Sequence, residues 1–344
     1  MRYPEFLKDN GTIGFVAPSF GCATEPYMSA FNEALEQFEK LGYKTNLGPN
    51  CRESSGIGIS NTPELCGKEL NDAMTNVDND VIISCGGGEL MCEVVPHIDF
   101  NKIAKSKPKW YMGYSDNTNY TFLSNILSDT AAIYGPCAAS FGMKPWDKSL
   151  YDALDVLRGK RTEVTGYEKW ELEGTKDEEH PYEAYNLTED EEYVYYPSDL
   201  KNKGVELSGR LLGGCVDCLV NLTGTDFDKV KEFNKKYEND GIIWFLECCD
   251  LNVFSIRRSF WNMRNAGWFD NAKGFLIGRP RLFHQDFMGL DQYRAVTDII
   301  GDLNVPVIMD LDIGHLPPMM PIISGSYANV TAVNNEIKIK YDFK

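Results

Sequence analysis

Residues 107–127, KPKWYMGYSDNTNYTFLSNIL, place a short apolar stretch, a tight turn and a helical pattern in that order. The turn holds Gly113, Ser115 and Asp116, and Asn117 stands where a GxSxG motif would have its second glycine. A nucleophilic serine needs this setting, because a strand end holds its oxygen out while N–H groups at a helix start face a developing oxyanion. Alternatively, Ser115 or Asp116 caps the helix, as both residue types commonly do. The turn alone leaves both interpretations open.

The chain before this turn alternates buried strands with amphipathic helices. The apolar runs TIGFVAP and VIIS are typical of strands covered on both faces, and helical spacing of apolar residues lies between them. The alternation predicts an α/β fold with a doubly wound parallel sheet, whose ligands bind beyond the carboxyl ends of its strands. The strands and helices are expected over residues 12–18, 28–41, 62–74 and 81–84.

Three consecutive glycines follow the strand at residues 81–84, at the same end of the predicted sheet as Ser115. They lack the GxGxxG spacing and the GK[ST] sequence of phosphate-binding loops, which disfavours a dinucleotide or a nucleoside triphosphate. One interpretation is a tight turn made of residues that tolerate positive φ. The other is that backbone N–H groups of Gly87 or Gly88 stabilise a tetrahedral intermediate formed at the serine.

Composition narrows the class of protein. A chain of 344 residues favours about two domains, and a net charge of −17 disfavours nucleic acid and anionic membrane surfaces as partners. No apolar leader and no membrane-spanning run are present, which predicts a cytoplasmic protein. The ten cysteines lie mostly in apolar runs, as reduced thiols do. Cys215 and Cys218 form a single CxxC without a second spaced pair, so we expect no metal.

The composition changes after Lys160, and the sequence suggests three regions. We expect an N-terminal α/β domain over residues 1–160, an acidic insertion or linker over 161–205, and a C-terminal domain over 206–344. The insertion carries Trp170 and several tyrosines, which a pure linker seldom does. It is either a solvated surface insertion or a wall over the site that offers stacking surfaces to a substrate.

Two further residues have the setting of catalytic groups. Glu247 ends the apolar run GIIWFLE, and a buried carboxylate needs a partner, which is either an arginine of the following helix or a histidine that it orients. The chain has four histidines. His315 lies between Gly314 and a Pro-Pro pair after a buried strand, which gives the rigid placement that a general base needs. A purely structural role for this histidine is the alternative.

Taken together, these segments resemble the serine peptidase family of the bacterial LD-carboxypeptidases and the microcin C immunity protein MccF. The resemblance extends over most of residues 10–330 outside the insertion, and the serine and GHxxP motifs carry it most specifically. The matching segments are TIGFVAPS, the glycine pair before PHIDF, GYSDNT, YGP, GRLLGG, FLE and GHLPPMMPI.

The resemblance implies a Ser-His-Glu triad at Ser115, His315 and Glu247. It implies an oxyanion site formed by backbone N–H groups of the glycine pair, Gly87 or Gly88, and of Asp116. It also implies a flavodoxin-like N-terminal domain followed by a C-terminal domain with a mixed, barrel-like sheet. Members of the family are generally cytoplasmic homodimers that use no metal or cofactor.

Three departures from the family pattern concern the substrate and leave the triad intact. Glu89 follows the glycine pair in place of an aromatic residue, Cys215 stands where asparagine is common, and Leu316 follows the histidine in place of a small polar residue.

Two substrates therefore compete on near-equal terms: a murein tetrapeptide that loses a terminal D-amino acid, and an amide joining an acidic amino acid to a nucleotide mimic. The murein peptide needs a holder for its carboxylate, with Arg210, Arg257 and Arg258 as candidates. The nucleotide mimic needs an aromatic wall, with Trp170 as candidate. A peptide-binding module without catalysis is the alternative function.

Overall fold

The computed structural model describes residues 1–344, and the chain forms two compact units. None of its helices combines the length and the apolar character needed to cross a bilayer. The first unit comprises Met1–Arg161, Glu173–Asn186 and Pro321–Ser324, and the second comprises Thr162–Leu172, Leu187–Met320 and Gly325–Lys344.

The first unit is built on a six-stranded sheet with the order β16-β5-β4-β3-β1-β2. Strands β1 to β5 are parallel, and β16 adds to β5 in the antiparallel direction. The predicted doubly wound parallel sheet is thus confirmed, and its order of strands 2-1-3-4-5 is flavodoxin-like. The strands are β1 (Thr12–Val16), β2 (Lys44–Leu47), β3 (Val81–Ser84), β4 (Tyr111–Gly113), β5 (Ala132–Tyr134) and β16 (Ile322–Ser324).

Helices pack against this sheet because their apolar residues recur on one side. Phe31 and Phe38 of the first helix are fully buried and pack against Phe15 of β1. Thr62 caps the second helix by accepting a hydrogen bond from the backbone of Leu65, as its position before a proline predicts. The helices are α1 (Tyr27–Lys40), α2 (Pro63–Thr75), α3 (Met91–Val94), α4 (Phe100–Lys105), α5 (Thr118–Ser128) and α6 (Lys148–Leu157), with 3-10 turns at Val95–His97, Ser115–Asn117 and Ala138–Gly142.

The second unit contains a mixed eight-stranded sheet, as predicted, with the order β6-β18-β17-β10-β11-β12-β15-β9. Four central strands, β10, β11, β12 and β15, run parallel, and antiparallel strands flank them on both sides. The strands are β6 (Glu163–Thr165), β9 (Val194–Tyr196), β10 (Val205–Cys215), β11 (Ile242–Glu247), β12 (Ala272–Gly278), β15 (Val307–Leu311), β17 (Tyr327–Val333) and β18 (Glu336–Asp342).

Two two-stranded sheets, β7-β8 and β13-β14, and five α-helices belong to the rest of the second unit. Trp244 of β11 is fully buried and contacts Trp268 and Phe269, which makes this strand the centre of the core. Since parallel strands end on one edge of a sheet, Cys215, Glu247 and the residues after β12 and β15 share one edge. The remaining elements are β7 (Lys169–Trp170), β8 (Glu189–Asp190), β13 (Asp286–Phe287), β14 (Leu290–Asp291), α7 (Leu200–Lys203), α8 (Val216–Leu222), α9 (Val230–Lys236), α10 (Val253–Asn265) and α11 (Gln292–Ile300).

Candidate active site

Ser115 lies at a strained turn between β4 and α5. Its φ of 63° is in the left-handed region, which residues other than glycine rarely adopt. Backbone strain of this kind concentrates at functional sites, and a sharp strand-to-helix turn is how a nucleophilic serine is presented. The backbone N–H of Ser115 donates to the hydroxyl of Tyr134, 3.2 Å away. Gly113 is required because a Cβ there would lie 2.8 Å from Cγ of Asn117.

Asp116 bonds across the turn instead of capping the helix. Its carboxylate accepts hydrogen bonds from the Ser19 hydroxyl and, at 2.8 Å, from the backbone N–H of Met91. Asn119 adds a side-chain bond of 3.0 Å to the same carboxylate. The start of α5 has no side-chain cap. The carboxylate of Asp116 therefore ties the serine turn to the loops that follow β1 and β3.

The glycine run after β3 lies against the serine. A Cβ added to Gly87 would lie 3.0 Å from Cβ and 3.1 Å from Oγ of Ser115, so a side chain at position 87 would crowd the hydroxyl. Gly88 has a φ of 138°, and a Cβ there would lie 2.1 Å from Oγ of Ser19. Glycine at position 87 allows the backbone to approach Ser115 closely, and glycine at position 88 allows it to approach Ser19.

Glu247 and His315 form a buried pair in the second unit. Nδ1 of His315 lies 2.9 Å from Oε2 of Glu247, whose side chain has no exposed surface. The loop can approach this carboxylate because residue 314 is glycine: its φ is 110°, and a Cβ there would lie 2.6 Å from Oε2 of Glu247. A carboxylate at this distance can accept a hydrogen bond from Nδ1–H, and in that tautomer Nε2 is the ring atom able to accept a proton.

Two opposing effects act on the pKa of His315. Burial lowers the pKa, whereas the carboxylate of Glu247 and a hydrogen bond with Cys249 raise it, and the net effect is a raised pKa. Burial alone would favour the neutral ring, so Glu247 and Cys249 are the reason that the pKa of His315 is raised. The surroundings of His315 thus stabilise the imidazolium that forms when the ring accepts a proton.

The two residues predicted to contact substrate are buried in the second unit. Cys215 is 1% exposed and lies opposite Glu247 in the β10–β11 register. A hydrogen bond with Cys218, together with burial, raises the pKa of its thiol well above the ordinary value. Trp170 is 5% exposed, with its ring below the guanidinium of Arg279 and its indole N–H bonded to the backbone of β8.

The arginines considered as carboxylate holders are engaged elsewhere. Arg257 pairs with Asp298 at 2.8 Å, and Arg258 donates to the hydroxyl of Ser255. Arg210 is buried and forms an ion pair with Asp240. At the edge of the sheet that carries Glu247, the exposed arginine is Arg281, which pairs with Asp250 at 3.1 Å and contacts the sulfur of Cys249 at 3.8 Å.

Sequence reasoning missed several residues that touch the predicted catalytic groups. Tyr134, which accepts from the Ser115 N–H, was quoted only as part of the YGP segment, although its place at a strand end beside β4 was a usable signal. Ser19 and Cys249 gave no signal of their own. No group of three or more histidine, cysteine or acidic side chains is arranged to hold a metal ion.

The predicted site residues therefore form two sets. Ser115, Asp116, Gly87 and Gly88 are gathered in the first unit. Glu247 and His315 are paired in the second unit, which also holds the two candidate substrate contacts. The first set presents a hydroxyl on a strained turn beside a glycine loop. The second presents an imidazole oriented by a carboxylate.

Two family models match the chain. The model of the LD-carboxypeptidase N-terminal domain matches residues 13–135, and that of the LD-carboxypeptidase C-terminal domain matches residues 208–330. The first range contains the serine turn and the glycine loop, and the second contains Glu247 and His315.

Two relatives match over nearly their whole length. The microcin C7 self-immunity protein MccF of Escherichia coli is 26% identical over 336 residues, covering 95% of this chain and 92% of that protein. A Vibrio cholerae protein with a provisional carboxypeptidase name is 25% identical over 348 residues, covering 99% and 98%. Among solved structures, MccF in complex with aspartyl sulfamoyl adenosine is similar with a TM-score of 0.82 at 22% identity, covering 100% of this chain and 99% of that one. The likeness to the solved structure concerns the fold.

Proposed function

Because this chain belongs to the LD-carboxypeptidase family, we propose that it is a serine hydrolase that cleaves an amide bond in a small peptide-like substrate. In this proposal Ser115 is the nucleophile, His315 the general base and acid, and Glu247 the group that orients the imidazole. The backbone N–H groups of Asp116 and of the glycine pair at 87 and 88 would bind the oxyanion.

The chemistry is acyl transfer in two steps. Nε2 of His315 takes the proton of the Ser115 hydroxyl as its oxygen attacks the amide carbonyl, and the same ring then gives that proton to the leaving amine. Water, activated by His315, hydrolyses the acyl-enzyme and restores the hydroxyl. Glu247 stabilises the imidazolium in both steps, which agrees with its raising effect on the pKa of His315.

The observation that carries the proposal is the 2.9 Å contact between Nδ1 of His315 and the fully buried carboxylate of Glu247. A buried carboxylate beside an imidazole is costly unless the pair is well hydrogen-bonded, and a bond from Nδ1–H to Glu247 would leave Nε2 to take the serine proton. The left-handed backbone of Ser115 supports the assignment of the nucleophile.

The first experiment tests the serine directly. A fluorophosphonate probe should label the native protein, and peptide mapping should find the label on Ser115. Ser115→Ala should fold normally and lose labelling, with turnover reduced by about a thousandfold or more. Undiminished turnover in that variant would remove the proposal.

Two substrates remain in competition. The name of the family favours a murein tetrapeptide that loses a terminal D-amino acid. The solved complexes of MccF, with aspartyl sulfamoyl adenosine and with glutamyl sulfamoyl guanosine, favour an acidic aminoacyl nucleotide. Incubating the protein with each substrate class separately and following the products by mass spectrometry distinguishes the two.

A peptide-binding module without catalysis is the competing function. It predicts no fluorophosphonate labelling at Ser115 and saturable binding of peptide without product. A cytoplasmic location and a homodimeric state, which the family resemblance implies, also stay predictions. Light scattering coupled to gel filtration tests the dimer.

A further inference from the structure

Arg279 is a buried cation at the carboxyl end of β12, in the second unit. Its side chain is 1% exposed, and a buried charge of this kind needs partners on every side. Nη1 donates to Oε2 of Glu191 at 2.7 Å and to the carbonyl of Asp310 at 2.8 Å, while Nη2 donates to Oδ1 of Asp312. The ring of Trp170 lies 4.8 Å from the guanidinium carbon.

Asp312, one of these partners, starts the loop that carries His315. The backbone carbonyl of Asp312 accepts from the N–H of Met320 at 2.8 Å, which closes a loop with the histidine inside it. The side chain of Asp312 has no exposed surface, and its Oδ2 accepts from the N–H of Tyr167 at 2.8 Å. The carboxylate of Asp312 is therefore one anchor of the loop.

Two other partners of Arg279, Trp170 and Glu191, belong to the base of the acidic insertion. Strands β7 and β8 pair with each other, with Trp170 opposite Glu189, and Glu191 follows β8 directly. We call β7, β8 and Glu191 the stem. The stem also bonds the histidine loop, since the N–H of Glu171 donates to the carbonyl of Pro317 at 2.8 Å.

We propose that Arg279 is a positioning residue for His315: by binding Asp312 and the stem together, it holds the histidine loop where the imidazole meets Glu247. The proposal rests on the assignment of His315 as the catalytic base. Arg279 itself touches no substrate in this account and acts through Asp312 and the stem.

The Arg279 guanidinium is shared by two buried carboxyl groups, those of Glu191 and Asp312. Burial, together with the nearby carboxylate of Asp312, raises the pKa of Glu191 to about 9. Because Glu191 and Asp312 are held by the same guanidinium in a buried site, their mutual repulsion and burial disfavour two charged carboxylates there.

Arg210 in the same unit provides a matched control. It too is buried, with 3% exposure, and it too pairs with an aspartate, bonds a backbone carbonyl and lies over an aromatic ring, that of Tyr237 at 4.0 Å. Its backbone pairs with Ile242, five positions before Glu247 along β11, which is about 17 Å away at the usual rise of a strand. A change at Arg210 should therefore disturb packing of the same kind without moving the histidine loop.

The experiment compares Arg279→Lys with Arg210→Lys in the full chain. One readout is the rate of fluorophosphonate labelling of Ser115 from about pH 5 to about pH 10. The other is the low-field proton signal of the His315 Nδ1–H in a protein with ¹⁵N-labelled histidine, assigned by its loss in His315→Asn. With four histidines in the chain, the spectrum is simple to assign.

We expect Arg279→Lys to lower the labelling rate by at least about tenfold, because a displacement near 1 Å can cost a hundredfold. We also expect the low-field signal to weaken or vanish and the acidic limb of the pH profile to move. Arg210→Lys should change the rate by less than about twofold and keep the signal. If Arg279→Lys does not fold, Asp312→Asn should give the same losses.

Three results would overturn the inference. The first two are an unchanged His315 Nδ1–H signal and Ser115 labelling rate in Arg279→Lys, or in a folded Asp312→Asn. The third is a loss of signal and rate in Arg210→Lys equal to that in Arg279→Lys. If the native protein is not labelled at Ser115, the proposed function fails, but the histidine signal still tests Arg279. The two failures are therefore distinguishable.

Discussion

Glu247→Gln removes one charge beside His315 while keeping nearly the same shape. The carboxylate is fully buried and its Oε2 lies 2.9 Å from Nδ1 of the ring. Glutamine can still bond the ring, but its amide N–H₂ favours the tautomer with the proton on the wrong nitrogen. The variant should therefore lose both the orientation of His315 and the stabilisation of its imidazolium.

The size of the effect follows from the geometry. Two unit charges about 4 Å apart interact by about 4 kcal/mol at an effective dielectric constant of about 20. At about 1.4 kcal/mol per pKa unit, this corresponds to a fall of up to about 3 in the pKa of His315. Because the base must be unprotonated, activity rises with pH through this pKa, and the acidic limb should move to lower pH. The rate on the high-pH plateau of the profile should fall by about a thousandfold to ten thousandfold, because the imidazole would then be held in the wrong tautomer.

The assay is the pH dependence of Ser115 labelling by a fluorophosphonate, with circular dichroism to verify that the variant is folded. Glu33→Gln is the control, since it changes a buried glutamate of α1 that pairs with Lys144 and contacts neither His315 nor the Arg279 cluster. The reasoning is refuted if Glu247→Gln keeps the native plateau, or if its acidic limb moves to higher pH.

Three further variants test other features of the site. Gly87→Ala should lower the labelling rate by about tenfold or more by crowding the Ser115 hydroxyl, whereas Gly86→Ala, whose Cβ would meet nothing closer than 3.4 Å, should change it little. Tyr134→Phe removes the acceptor of the Ser115 N–H and should lower stability by about 1–3 kcal/mol in urea denaturation; an unchanged midpoint would contradict the assigned bond. Arg279→Met leaves two carboxyl groups without their cation and should lower the free energy of unfolding by about 3–5 kcal/mol in urea denaturation. A decrease below about 1 kcal/mol would show that the Arg279 cluster adds little to stability.

Apolar periodicity and turn residues along the sequence were sufficient to predict individual strands, turns and helices. The strand, turn and helix of residues 107–127 were predicted because apolar runs and a polar turn follow each other within one segment. The parallel sheet followed from the alternation of such segments. The pairing of Glu247 with His315 was predicted from the family resemblance, since the residues alone left an arginine as an equal partner.

Contacts between residues that are far apart in the chain could not be predicted from the sequence. Trp170 looked like an exposed aromatic in an acidic segment, but its partner Arg279 comes more than a hundred residues later and could not be identified by spacing. Strand β16 is three residues long and joins the sheet of the first unit, although it follows the histidine loop of the second. Short strands added at an edge are fixed by tertiary contacts and have almost no periodicity of their own.

The division into units has a consequence for how this protein can be rebuilt. The chain passes from one unit to the other five times, at residues 161, 172, 186, 320 and 324. A fragment that stops at 161 would leave β5 without its antiparallel neighbour, as an open edge that invites aggregation. In a chimera made by joining two relatives at one junction, a unit can therefore contain segments from both relatives, whose packing surfaces do not match. Exchange of a unit between relatives needs all of its segments to be transferred together.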